Sequence, residues 1–257
     1  MVIVCYNVAM YAFRTRFKKE IIAEFFPPAR KTKKQRVILM CDGAPSLPEK
    51  KMMLDFFSKK GFWAIHVHYR GSWESDGKFL AKSPHQDLLD VIDELPKGFT
   101  EFWSNKKFKV KPDEIYLIGA SFGGTAVVLA SQDKRVTKSI AVSPMIDWTK
   151  PGPDEPWPKM IRFFEQAFGN AYRLAPRAWD KLKSGKFYNP IKEVDKIDGS
   201  KLLIIHAKDD LTCPYPITKK FVEETKAKLI TLPRGDHLSS SILTQPRFYK
   251  IFKKFIS

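Results

Sequence analysis

The chain has 257 residues, 44% of them hydrophobic and 28% charged, which excludes a disordered or fibrous protein and suits one α/β domain with a buried core. Its formal net charge is +17, a balance that favours solubility and attraction to anionic surfaces. The basic runs at 30–36 and 105–111 lie in no recognisable nucleic-acid fold, so they are read as solvated loops and nucleic acid is not expected as a partner.

The first apolar run, residues 2–11, is too short to span a bilayer. Its basic residues (Arg14, Arg16, Lys18, Lys19) follow it, the reverse of a secretion signal. It is read as a strand. Further strands are predicted at 21–26, 37–41, 62–68, 115–118, 139–142, 202–206 and 229–232, short apolar runs that suit strands buried on both faces. Helices are predicted at 48–60, 84–95, 123–131, 216–225 and 244–256, with Pro48, Pro84 and Pro216 at their starts, where a preset φ and a missing N–H cost nothing. The alternation implies a mostly parallel eight-stranded sheet with helices on both faces, in a single domain over 1–257. The first two strands leave no room for a crossover helix, so they are expected to form an antiparallel edge. Residues 147–190 break the pattern: four prolines (Pro151, Pro153, Pro156, Pro158) precede helical runs rich in aromatics, Trp148, Trp157, Phe164 and Trp179 among them. That segment is expected to be a helical lid inserted between two core strands. Cys5, Cys41 and Cys213 have no CxxC spacing, which argues against disulfides or a cysteine zinc site and for a reducing, cytoplasmic setting.

The chemistry is expected at Gly119-Ala120-Ser121-Phe122-Gly123, a G-x-S-x-G pattern between a predicted strand and a predicted helix. Such a corner forces the serine into a strained turn at the carboxyl end of the sheet, and the glycines remove side chains that would collide there. A serine hydroxyl needs a base, and the base needs an orienting acid. Of the five histidines only His206 and His237 follow Ser121. His206 ends a predicted strand and is read as structural; His237, in a loop before the last helix, is the candidate base. Asp209, Asp210 and Asp147 all follow strands and compete for the acid. The Phe122 N–H and the Ala44 N–H, beside Gly43, are the candidate oxyanion donors. Trp73 and Trp148 are candidates for an apolar substrate wall. Glu74 and Asp76 are read as solvated loop carboxylates, with capture of a substrate amine as the alternative.

Several stretches together resemble the catalytic domain of prolyl-oligopeptidase-type serine hydrolases and related esterases, in register order from about residue 20 onward. They are "IGASFGG", "HYRGSWESDG", "SPHQDLLDVIDEL", "HAKDDLTCP" and "GDHLSS". The resemblance implies an α/β-hydrolase fold with Ser121, Asp210 and His237 as catalytic triad; the register of the acid loop selects Asp210. This chain departs from the family pattern at Cys41-Asp42-Gly43, where His-Gly is usual, and at Ala207 and Cys213 in the acid loop. With about twenty residues before the core in place of the family's large propeller, the expectation is a serine esterase or acyl hydrolase acting on a small-molecule ester or acyl substrate through an acyl-enzyme, without metal or cofactor. An aminoacyl or acyl-peptide peptidase and a non-enzymatic binding protein on a hydrolase scaffold are the alternatives.

Overall fold

A computed structural model describes residues 11–257; the strand expected at 2–11 lies outside them except for Tyr11, which is in no strand. Among the described residues ten strands occur: β1 Phe13–Phe17, β2 Ile21–Phe26, β3 Arg36–Cys41, β4 Trp63–Val67, β5 Phe99–Thr100, β6 Lys107–Phe108, β7 Glu114–Ala120, β8 Lys138–Val142, β9 Leu202–Ala207 and β10 Lys228–Leu232. Among these residues seven α-helices accompany them: α1 Lys51–Lys59, α2 His85–Glu94, α3 Phe122–Ala130, α4 Trp157–Phe163, α5 Ala178–Lys183, α6 Tyr215–Thr225 and α7 Pro246–Ile256.

Eight strands form one sheet in the order β1-β2-β4-β3-β7-β8-β9-β10, while β5 and β6 make a separate small hairpin. From β4 to β10 neighbouring strands run parallel; β2 is antiparallel to both β1 and β4. The antiparallel edge is therefore present, but the strand that makes it is Phe13–Phe17. Thr15 and Phe17 are buried there, whereas Arg16 is exposed. A three-residue turn with Lys18 and Lys19 in the left-handed region returns the chain into β2.

Alternate residues of the central strands enter two cores. Val37, Leu39 and Cys41 of β3 join the core under α2, α3 and α6, which contribute Leu88, Val127 and Phe221. Ile38 and Met40 join the other, under α1 and α7, with Leu54, Phe57 and Phe252. Burial on both faces explains why β3, β7 and β9 read as unbroken apolar runs. The chain leaves β3 toward β4 on one side, and β7 flanks β3 on the other. The carboxyl ends of β3 and β7 thus flank a topological switch point, where open α/β sheets form their ligand crevice.

The segment between β8 and β9 carries α4, a π-helical turn at Phe164–Phe168 that follows it, and α5. It is stitched to the loop after β4: Trp73 N donates to Ala171 O at 2.6 Å, Arg173 N to Gly71 O at 2.7 Å and Phe79 N to Arg173 O at 2.8 Å. It also reaches the loop after β9, with Gly152 N donating to Thr212 O at 3.1 Å. Arg70 anchors the loop after β4 by donating to Glu20, Asp87 and Asp90, so the β1–β2 turn and α2 share one guanidinium. Among the described residues no helix is long and apolar enough to cross a membrane.

Phe252 of α7 is fully buried, with ring centroids 5.4 Å from Phe57 and 6.1 Å from Phe62. Phe252→Ala leaves a cavity between α7, α1 and the sheet and is expected to cost about 3–5 kcal/mol. The measurement is chemical denaturation, where the midpoint should fall with an unchanged slope.

Candidate active site

Ser121 is the single residue between β7 and α3, and its backbone sits at φ 54 and ψ −120. An L-residue in this region carries strain, which the surroundings must hold in place. Ser121 N donates to Val142 O of β8 at 3.0 Å; Ser121 O accepts from Thr125 N at 3.2 Å and Met145 N at 3.3 Å. The flanking glycines are required by contact. A Cβ on Gly119 would lie 2.2 Å from the Gly123 carbonyl oxygen, and one on Gly123 would lie 2.5 Å from the Asp42 carbonyl oxygen. The strand, the helix and the loop after β3 therefore meet at backbone distance beneath the serine.

His237 lies in the loop between β10 and α7. Its Nδ1 is 3.1 Å from Asp210 Oδ1 and 3.0 Å from Oδ2. The carboxylate also accepts from Thr212 N at 3.0 Å and Cys213 N at 2.8 Å, which fix it within the turn after β9. Burial alone would raise the Asp210 carboxyl, but its contacts with His206 and His237 outweigh this and hold it well below the usual carboxylate range. His206 is fully buried, and its Nε2 faces two acceptors, Asp210 Oδ2 at 3.1 Å and Cys213 O at 2.9 Å. Nε2 must therefore carry the proton. The structural role expected for His206 thus has a specific object, the Asp210 carboxylate. Spacing in the sequence offered one sign of this, because His206 and Asp210 stand four apart across a tight turn.

The two rival acids are occupied elsewhere. Asp209 accepts from Gly235 N at 2.9 Å and Asp236 N at 3.0 Å, pinning the backbone just before His237. Asp147 accepts from Thr149 N at 3.0 Å and Thr149 Oγ1 at 2.7 Å. Ser121 adjoins the acid loop through the Cys213 thiol, which burial pushes well above its ordinary pKa. Among the described residues no Ser121–His237 hydrogen bond is formed; such contacts commonly tighten only around bound substrate.

The loop after β3 lies across the serine: a Cβ on Gly43 would be 3.4 Å from Ser121 Cβ. Asp42, which stands where the resemblance implies a histidine, is buried. His66 Nε2 is 2.6 Å from its Oδ2, and Lys50 Nζ is 2.6 Å from its Oδ1. Burial would raise this carboxyl as well, yet His66 and Lys50 hold it at about 2. Tyr69 donates its hydroxyl to Asp42 O at 2.9 Å, and Trp73 Nε1 donates to Ser46 O at 3.1 Å. The backbone around Ala44 is thus held from both sides. The pairing of Asp42 with His66 was not foreseen, and nothing local in the sequence signals it, since Asp42 lies just after β3 and His66 on β4, 24 residues further along the chain.

Phe122 packs its ring against Tyr69, Phe79, Trp148 and Tyr188, and its carbonyl accepts from Tyr188 Oη at 2.6 Å. Trp148 is buried in this cluster, and Trp73 is half-buried against Phe168 and Tyr172. Glu74 and Asp76 are exposed, as expected of loop carboxylates, but they are also paired: Glu74 with Arg14 at 3.0 Å and Asp76 with Arg16.

This sheet, with a strained serine between its central strand and the following helix, has the α/β-hydrolase fold. The sequence profile of the prolyl oligopeptidase family matches residues 49–257, and the chain belongs to that family, a family of serine hydrolases. No curated protein matches the chain significantly. Among solved structures, the acylaminoacyl peptidase of Pyrococcus horikoshii is 19% identical, with a TM-score of 0.65, over 95% of this chain and 40% of its own. Esterase Pf2001 of Pyrococcus furiosus is 17% identical, with a TM-score of 0.66, over 96% of this chain and 90% of its own. Est1E from Butyrivibrio proteoclasticus is 19% identical, with a TM-score of 0.58, over 96% of this chain and 100% of its own. The chain spans less than half of the peptidase, and at these identities the likeness is one of fold.

The lowered Asp210 carboxyl has a consequence for stability. Its ionised form contributes in full above the unfolded-state value of about 3.9, and the contribution is lost as pH falls through the lower folded value. Asp210→Asn is therefore expected to be less stable than wild type at pH 7. Thermal melts across pH should show the gap closing below about pH 4.

Proposed function

We propose that the protein is a carboxylesterase or acyl hydrolase that works through an acyl-enzyme, with Ser121 as nucleophile, His237 as base and Asp210 as orienting acid. The observation that carries this reading is the contact of His237 Nδ1 with the buried Asp210 carboxylate, whose loop adjoins the strained serine through the Cys213 thiol. With Nδ1–H donated to Asp210, the lone pair of His237 stands on Nε2. Ser121 Oγ attacks the ester carbonyl carbon while its proton passes to Nε2. The carbonyl oxygen becomes an oxyanion, which the N–H groups of Phe122 and Ala44 stabilise. The imidazolium then protonates the leaving alcohol as its bond to carbon breaks. Water repeats the sequence on the acyl-enzyme and releases the acid. No step in this sequence calls on a metal or cofactor.

One observation favours an ester over a peptide. Glu74 and Asp76, the carboxylates that would capture a substrate amine, are engaged by Arg14 and Arg16. The helical segment 147–190 and the half-buried Trp73 serve in this reading as lid and apolar wall, with Trp148 supporting Phe122 from within.

Ser121→Ala and His237→Ala are each expected to abolish fluorophosphonate labelling and to lower p-nitrophenyl butyrate turnover by about 10⁴-fold or more. A folded wild type that neither labels nor turns over acyl esters would move the binding-protein reading to first place, and faster cleavage of aminoacyl anilides than of esters would move the peptidase there. Trp73→Ala is expected to lower kcat/KM for octanoyl esters by about 10-fold while leaving acetyl esters little changed. An equal loss on both, measured side by side, would remove Trp73 from the acyl wall.

A further inference from the structure

We propose that Glu24, His66 and His68 form a binding site for one zinc-class divalent transition-metal ion, beside the candidate active site and separate from it. Glu24 of β2 is the cross-strand partner of His66 of β4, and His68 follows two residues later with its N–H on Ile22 O at 3.0 Å. Period-two alternation puts all three side chains on one face of the sheet. One ligand atom from each lies within 4.8 Å of the others.

The buried polar atoms of this cluster point to a ligand. His66 is 0% and His68 3% exposed, and three of their four ring nitrogens have no hydrogen-bond partner among the described residues: His66 Nδ1 and both nitrogens of His68. Buried polar atoms are nearly always satisfied, so three adjacent unmet nitrogens are exceptional. The fourth, His66 Nε2, faces Asp42 Oδ2 at 2.6 Å. In a neutral ring this makes Nε2 the donor and leaves a lone pair on Nδ1. A carboxylate on one imidazole nitrogen is the recurrent arrangement behind a metal on the other.

The carboxylates are arranged to match. Arg14 Nε and Nη2 both donate to Glu24 Oε1, at 3.0 and 2.9 Å, so Oε2 stands clear of that ion pair. Glu74 gives Oε1 to Arg14 and turns Oε2 toward His68 Nδ1 at 3.6 Å. Glu74 is the natural fourth ligand, and its half-exposed side chain opens the route from solvent. Two imidazoles with carboxylate oxygen suit zinc or cobalt rather than magnesium or calcium. Tetrahedral bonds of about 2.0 Å put ligand atoms about 3.3 Å apart, so closing the site needs side-chain rotations that draw the atoms in by about 1.5 Å at most.

The test uses the full chain stripped with EDTA, titrated with zinc chloride by calorimetry and followed by thermal melts. One zinc per chain with a dissociation constant near or below about 1 µM is expected, with a rise in Tm at excess zinc. His68→Gln and Glu24→Gln should each weaken binding at least about ten-fold. Absence of saturable one-to-one binding, or binding unchanged in His68→Gln, overturns the proposal. Where His68→Gln does not fold, zinc-edge X-ray absorption of the wild type decides: a shell with two imidazoles supports the site, and oxygen-only scattering overturns it. None of these readouts depends on esterase activity, so the site and the proposed function stand or fall separately.

Discussion

The left-handed backbone of Ser121 is the constraint around which the remainder is arranged. Strain of this kind costs of order 1–3 kcal/mol and persists only where the surroundings over-determine it. Here β8 receives the serine N–H and α3 begins at the next residue. Gly119 and Gly123 let three backbones approach so closely that any side chain would separate them. The position of the loop after β3 follows from that contact, because its Asp42 carbonyl rests on Gly123. The candidate oxyanion donors are thus set by the same packing that strains the serine.

A second layer of order is electrostatic. Two buried carboxylates flank the site, and each is fully engaged: Asp210 by His206, His237 and two backbone N–H groups, Asp42 by His66 and Lys50. A buried charge is tolerable only when paired and hydrogen-bonded. In each case one partner comes from a distant part of the chain, His237 for Asp210 and His66 for Asp42, so correct placement of each carboxylate depends on the completed sheet. Loss of one partner would leave an uncompensated charge in the core and disturb the loop that carries it.

The parts of the structure legible in the sequence are those whose physics is local. Buried parallel strands announce themselves as short apolar runs, and the strand–glycine–serine–glycine–helix corner is contiguous. Strand Phe13–Phe17 escaped notice because Arg14 and Arg16 interrupt its apolar residues, as they must on a half-exposed edge. The β5–β6 hairpin has only two residues per strand and no periodicity to read. Asp210 could be told from Asp209 only through a family register; in space the difference is plain, since one carboxylate meets the His237 ring and the other the backbone preceding it. The Asp42–His66 pair was invisible for the opposite reason to the elbow: it exists only because β3 and β4 lie side by side.

The neighbouring aspartates carry one last implication. Successive side chains on the turn after β9 take unrelated tasks, one gripping the main chain at Gly235 and Asp236 and the other the ring of His237. Because the two are chemically identical, composition does not protect the assignment; only the count of residues from the end of β9 does. A single insertion or deletion in this turn would hand each carboxylate the other's task in the wrong geometry, while most point substitutions nearby would leave the count intact. The turn is thus far more tolerant of changed letters than of changed length, the reverse of what holds for ordinary surface loops.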